Sequence, residues 1–156
     1  MRIIGIDPGT ATVGFGIIDA QGNKAACVDV GIISTTKADH DARRLHHIYV
    51  EIQKLFRKYR PQVLALEKIF FSKNIKTAMS VAQARGIILL AAEEAGLKII
   101  ECSPQDVKMA VTGYGQADKK QVQKMVKTLL KLEAIPTPDD AADALAAALA
   151  VINRRV

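Results

Sequence analysis

A chain of 156 residues, 49% hydrophobic and 24% charged, has the make-up of an ordinary globular protein. Disordered and collagen-like classes are excluded, and residues 1–156 are expected to fold as a single domain that buries roughly 70% of its unfolded surface. Lys and Arg outnumber Asp and Glu by 22 to 16, a formal charge of +6, which fits either a merely soluble surface or a polyanionic partner.

The given sequence opens on an apolar run, Arg2 to Ile6, that reads as a strand, so a charged-then-apolar leader is not expected. Residues 2–7 predict a short buried strand, Pro8-Gly9-Thr10 a turn, and Val13 to Asp19 a second strand. Gln21-Gly22-Asn23 predicts a hairpin into a third strand over about 25–34. Asp39 or Asp41 is expected to cap a long helix to about Tyr59, with Leu45, Ile48, Ile52, Leu55 and Phe56 at helical spacing. Pro61 stops it, and 62–67 reads as the next strand. Asn74 to Ala95 predicts a second long helix ended by Gly96, and 97–101 a short strand. Ser103-Pro104 is a cap followed by proline at the first helical position, and Gly113-Tyr114-Gly115 breaks that helix. Asp118 begins another helix to about Leu132, and 139–153 forms the last.

A three-strand meander followed by strands that alternate with helices implies an α/β protein with a mixed five-stranded sheet flanked by helices. The helix at 74–95 is apolar around much of its circumference, with Met79, Val81, Ile87, Ile88, Leu89 and Leu90 on several sides. One side is expected on the sheet and another against a second copy of the chain, giving a homodimer; the alternative is full burial within the monomer. The most apolar stretch, Ile87 to Ala92, is too short to span a bilayer. Cys27 and Cys102 form no CxxC motif and read as reduced thiols, so a cytoplasmic protein without membrane attachment is expected.

The chemistry lies in acids that end apolar elements: Asp7 after the first strand, Glu67 after the fourth, and Asp140 and Asp143 at the start of the last helix. Isolated buried charge is expensive, so such placement calls for a partner. Residues at i and i+3 share a helical face, so Asp140 and Asp143 can serve one site. The alternatives are that Asp139 or Asp140 caps the helix, that Asp7 braces its turn and that Glu67 is an exposed strand-end acid. Converging carboxylates suit Mg²⁺, and two such ions about 4 Å apart clamp a phosphodiester. No Cys/His set suits zinc, and His40, His46 and His47 read as solvated surface residues.

The motifs Gly5-Ile6-Asp7-Pro8-Gly9-Thr10, Leu66-Glu67-Lys68-Ile69-Phe70-Phe71, Gln83-Ala84-Arg85-Gly86, Gln105-Asp106-Val107-Lys108, Ala117-Asp118-Lys119 and Asp140-Ala141-Ala142-Asp143-Ala144-Leu145 together closely resemble the RuvC family of bacterial Holliday-junction resolvases. The resemblance spans nearly the whole chain, in order. It implies a ribonuclease H-like fold, a homodimer and a Mg²⁺-dependent endodeoxyribonuclease, with two ions per site and Mn²⁺ able to substitute. It implies paired nicks at four-way junction DNA during recombination and repair, and partnership with the RuvA and RuvB branch-migration proteins. It carries Asp7, Glu67, Asp140 and Asp143 as catalytic, metal-binding acids, with Asp139 as a neighbour able to replace or assist Asp140. Phe70 is expected to stack on junction bases, with Phe71 beside it, and Lys108 and Lys119 to lie near the scissile phosphate. Lys73 and Lys120 complete the candidate DNA contacts, and Lys119, Lys120, Lys124, Lys127 and Lys131 give the fourth helix a basic face.

The pattern Asp7, Gly9, Thr10, Gly14 also resembles the phosphate loop of the actin and sugar-kinase superfamily, although 156 residues supply only one of the two lobes such enzymes use. An RNA-processing nuclease of RuvX type and a non-catalytic junction-binding module are the other rivals.

Overall fold

The computed structural model describes residues 1–68 and 75–152. Its elements follow the order β1 (Arg2–Asp7), β2 (Thr12–Gln21), β3 (Lys24–Ser34), α1 (Asp41–Tyr59), β4 (Val63–Glu67), α2 (Ile75–Glu94), β5 (Lys98–Cys102), α3 (Pro104–Thr112), α4 (Lys119–Leu129) and α5 (Asp139–Ala150). The strands form one sheet in the order β3-β2-β1-β4-β5. The β1–β2 and β2–β3 pairs are antiparallel, and β1–β4 and β4–β5 are parallel. The mixed five-stranded sheet expected from the sequence is therefore present.

Side chains alternate across each strand, so the sheet has two covered faces. Ile4, Ile6, Val13, Ile17, Leu64 and Leu66 face α1 and α2, meeting Ile48, Ile52, Phe56, Ala84, Ile88 and Ala92. Ile3, Ile18, Val63, Ala65 and Cys102 face α3, α4 and α5, meeting Val107, Val111, Val122, Val126 and Leu145. Each large aliphatic side chain removed from water here contributes roughly 1.5–3 kcal/mol.

The caps differ from expectation in two places. Neither Asp39 nor Asp41 caps α1: His40 is the N-cap, its Nδ1 accepting from the Arg43 amide at 3.3 Å. Asp41 is already inside the first turn, where its charge suits the helix dipole. Pro138 occupies the N-cap of α5, which has no side-chain cap, so neither Asp139 nor Asp140 is used that way. Ser103 and Asp118 cap α3 and α4 as expected, each completing a capping box, with Asp106 and Gln121 respectively. Gly113 ends α3 in a left-handed conformation, φ 75°. The fourth helix ends at Leu129, earlier than Leu132, as Leu130 closes it and Lys131 turns to φ 52°.

Candidate active site

Strand alternation decides where the first two acids point. Ile3 packs on the α5 face of the sheet while Ile4 and Ile6 pack on the other, so Asp7 falls on the α5 face with Ile3. Val63 and Ala65 pack on that face in β4, which places Glu67 there as well. Parallel register pairs Ile6 with Leu66, so Asp7 and Glu67 end adjacent strands at the same edge. That edge, outside the carboxyl ends of parallel strands, is where open α/β sheets bind ligands.

The other two acids arrive with α5. This helix lies on β1 and β2 with almost no spacer, because the strands offer glycine where it crosses. A Cβ on Gly5 would lie 2.7 Å from the Ala148 amide nitrogen, and one on Gly16 would lie 2.6 Å from Leu145 Cδ2. A Cβ on Gly14, the cross-strand partner of Asp7, would overlap the Asp140 carbonyl and lie 3.0 Å from the Ala141 amide nitrogen. The helix itself is nearly all alanine along its buried length. Small residues on both sides set the first turns of α5 beside the end of β1. The sequence reading missed Gly16 altogether, and took Gly5 only as part of a family motif and Gly14 only as part of a phosphate-loop pattern.

Electrostatics shows the convergence. Asp7 has its pKa raised to about 7, chiefly by burial and then by the charges of Asp143, Asp140 and Glu67, with Lys119 opposing. Burial, then Asp143, pushes Glu67 up, while Lys108 pulls it down. Asp143 is also raised, by burial above all, against the pull of Lys119. For Lys119, burial works against the ammonium but hydrogen bonds to Asp143 and Asp139 outweigh it, raising its pKa. Asp7, Glu67, Asp140 and Asp143 therefore share one electrostatic neighbourhood.

Asp139 stands apart from them. Its carboxylate is exposed, accepts from Gln123 Nε2 at 3.0 Å and pairs with Lys119 at 3.1 Å. Those hydrogen bonds hold its pKa below the usual carboxylate value. Asp140, and not Asp139, is the first-turn acid that acts on Asp7.

A cavity of about 210 Å³ opens beside the acids, lined by Glu67, Asp143, Lys108, Lys119, Val107 and Val122 among others. It brings two carboxylates of the set together with two of the expected cations. Lys120 is exposed and is not among its lining residues. Phe70, Phe71 and Lys73 lie outside the described residues. Arg85 serves the opposite face of the sheet, where it forms an ion pair with Glu101 of β5.

The donor set fits a hard divalent cation. It consists of carboxylates only, partly buried and mutually repelling, and a cation relieves that repulsion. The acids are in electrostatic reach of one another, but among the described residues no three His, Cys, Asp or Glu side chains form a ready-made cage at ligand distance.

Residues 3–151 match the family model of the crossover junction endodeoxyribonuclease RuvC. The chain belongs to the RuvC family. RuvC of Fusobacterium nucleatum is 52% identical over 153 residues, covering 98% of this chain and 80% of that protein. RuvC of Thermosipho melanesiensis is 51% identical over 156 residues, covering 99% of each. The structure of Thermus thermophilus RuvC superposes with a TM-score of 0.89 at 34% identity, covering 96% of this chain and 92% of that one. T. thermophilus RuvC in complex with Holliday junction substrate gives a TM-score of 0.88 at 32% identity, with the same coverage. The fold is thus the ribonuclease H-like fold of RuvC resolvases, as expected. The sugar-kinase pattern rests on four residues of the sequence, Asp7, Gly9, Thr10 and Gly14, whereas the match to RuvC spans residues 3–151.

Proposed function

We propose that this chain is a structure-specific endonuclease that resolves four-way (Holliday) DNA junctions by paired, metal-dependent hydrolytic nicks during recombination and repair. The observation that carries it is the gathering of Asp7, Glu67, Asp140 and Asp143 at one sheet edge, with Lys108 and Lys119 beside them, in a chain of the RuvC family.

Asp7, Glu67, Asp140 and Asp143 would hold Mg²⁺, two ions per site, with Mn²⁺ able to substitute. Held there, the metal would supply Lewis acidity toward the attacking water and the leaving oxygen. The water oxygen forms a new bond to phosphorus as the sugar oxygen leaves, and one of the carboxylates takes the water's proton. Lys108 and Lys119 line the adjoining cavity and hold the scissile phosphate by charge, a contact that positions DNA without reading its sequence. Lys120 extends the phosphate path over the exposed face of α4. Phe70 would stack on an unpaired base at the junction, with Phe71 and Lys73 assisting.

The chain acts as a single domain in a homodimer. Support comes from α2, whose Ala84, Ile88, Ala91 and Ala92 are buried while Met79 and Leu90 on the outer side are 63% and 51% exposed. A second copy covering that side would give two sites related by a two-fold axis, matching the symmetry of a four-way junction. RuvA and RuvB would supply the migrating junction, in the cytoplasm. Among the described residues, no helix is long and apolar enough to cross a membrane.

The deciding experiment is cleavage of a synthetic mobile four-way junction with Mg²⁺, alongside plain duplex and flap. Paired nicks in the junction alone are expected. Equal cutting of all three substrates overturns the substrate assignment, and ATP turnover without nicking overturns the reaction class.

A further inference from the structure

Asp139 stands beside the acid cluster and is held by α4. Gln123 Nε2 donates to its Oδ1 at 3.0 Å, and Lys119 Nζ lies 3.1 Å from its Oδ2. Lys119 and Gln123 are one turn apart on α4 and so present their side chains on the same face. The same ammonium lies 3.0 Å from Asp143 Oδ2. Lys119 therefore bridges one acid inside the cluster and one outside it. The bridge is open to solvent, with Lys119 and Asp139 side chains 52% and 63% exposed against 32% for Asp143. Moving the ammonium between its two partners disturbs no core packing.

An ammonium and a divalent cation compete for the same carboxylate oxygen. If Asp143 were the sole partner of Lys119, a metal arriving there would strand the ammonium beside a second cation. Resting on the reading of Asp143 as a metal ligand, we propose that Asp139 is a positioning residue: it is the alternative seat of Lys119, oriented by Gln123, that lets Asp143 pass to a divalent cation. With metal bound, Lys119 remains on Asp139 at the cavity mouth, where an entering phosphate meets it. Asp139 is then neither a substitute for Asp140 nor a ligand of the metal, although it adjoins Asp140 in sequence. Gln123 has a role through the same contact: by occupying Oδ1 it leaves Oδ2 to the ammonium.

The test is Mn²⁺ binding to the DNA-free protein, measured by calorimetry through a double-mutant cycle. Asp139→Asn is expected to weaken Mn²⁺ binding about two- to five-fold, the range of an exposed ion pair. In a Lys119→Met background the same substitution is expected to change affinity by less than about two-fold, because no ammonium remains to be seated. Equal losses in the two backgrounds would make Asp139 a ligand and overturn the proposal, as would no loss in either. Gln123→Leu should repeat the pattern at smaller amplitude, and Asp139→Glu should restore affinity. A direct readout is the Lys119 ammonium resonance in ¹⁵N-lysine spectra. It should shift in Asp139→Asn and return in Asp139→Glu; an unmoved signal overturns the seat. The parent reading fails differently. Asp143→Asn would then leave Mn²⁺ affinity unchanged, which sinks both. A loss in Asp143→Asn without the Asp139 cycle sinks only the seat.

Discussion

Gly14 of β2 touches the backbone of Asp140, the first-turn acid of α5, so closely that a Cβ there would overlap the Asp140 carbonyl. Gly14 is also the cross-strand partner of Asp7. The two carboxylates are thus brought together through backbone contacts at a single residue without a side chain.

Gly14→Ala is therefore expected to push the first turn of α5 off the sheet. Overpacking of this kind costs about 1–3 kcal/mol. A shift of about 1 Å at the reacting groups lowers nicking by about 100-fold. The check is a denaturation curve beside junction cleavage: the loss of rate should far exceed the fraction unfolded, and a variant with normal rate would contradict the close contact.

Asp7→Asn should leave junction binding intact and abolish nicking. Gel-shift in EDTA and cleavage in Mg²⁺ separate the two, and undiminished nicking would remove Asp7 from the reaction.

The same substitution has a signature without DNA. Asp7 has its pKa raised to about 7 in the fold, against 3.8 ordinarily. Between those values the folded protein keeps a proton that the unfolded chain has lost, so the contribution of Asp7 to stability is full below the lower value and is lost as pH rises through about 7. In EDTA at pH 8, Asp7→Asn should be the more stable protein by up to a few kcal/mol, with the difference vanishing near pH 4. Mg²⁺ should stabilise the parent protein and not the variant, as expected of a ligand bound only by the native state. Urea midpoints at the two pH values, with and without Mg²⁺, decide it.

Lys108→Ala should slow nicking by more than it weakens junction binding, since Lys108 lines the cavity with Glu67 and Asp143. Lys120→Ala should do the reverse, reducing binding and its salt dependence with little change in the rate at saturation. Single-turnover rates at saturating enzyme distinguish the two lysines.

Met79→Asp with Leu90→Asp should leave the fold intact and give a monomer by light scattering, because both side chains sit on the exposed side of α2. A dimer that persists unchanged would place the interface elsewhere.

The mixed five-stranded sheet and the placement of Asp7 and Glu67 at strand ends were legible in the sequence because both follow from short periodic patterns. An apolar run ending in Asp7 or Glu67 needs only alternation to fix which way the carboxylate points. The split between Asp139 and Asp140 was not legible. Adjacent residues on a helix point about 100° apart, and the sequence does not show which direction faces β1. Gln123 supplied a faint signal, four residues after Lys119, but its partner lies across two elements. The α1 cap was misread for a similar reason. Asp39, His40 and Asp41 all have acceptors, and the winner is the residue whose backbone is extended where the first helical turn begins. Phe70, Phe71 and Lys73 lie outside the described residues, so those readings stand on the sequence.

Because α5 approaches the sheet through alanine and glycine, the spacing of the carboxylates is measured in backbone thickness and not in interlocking side chains. Large aliphatic residues elsewhere can be exchanged and the layers will settle by small amounts. Backbone against backbone has no such give. Variation in this protein should therefore be tolerated in an unusual place: broadly among its bulky core residues, and hardly at all among its smallest ones.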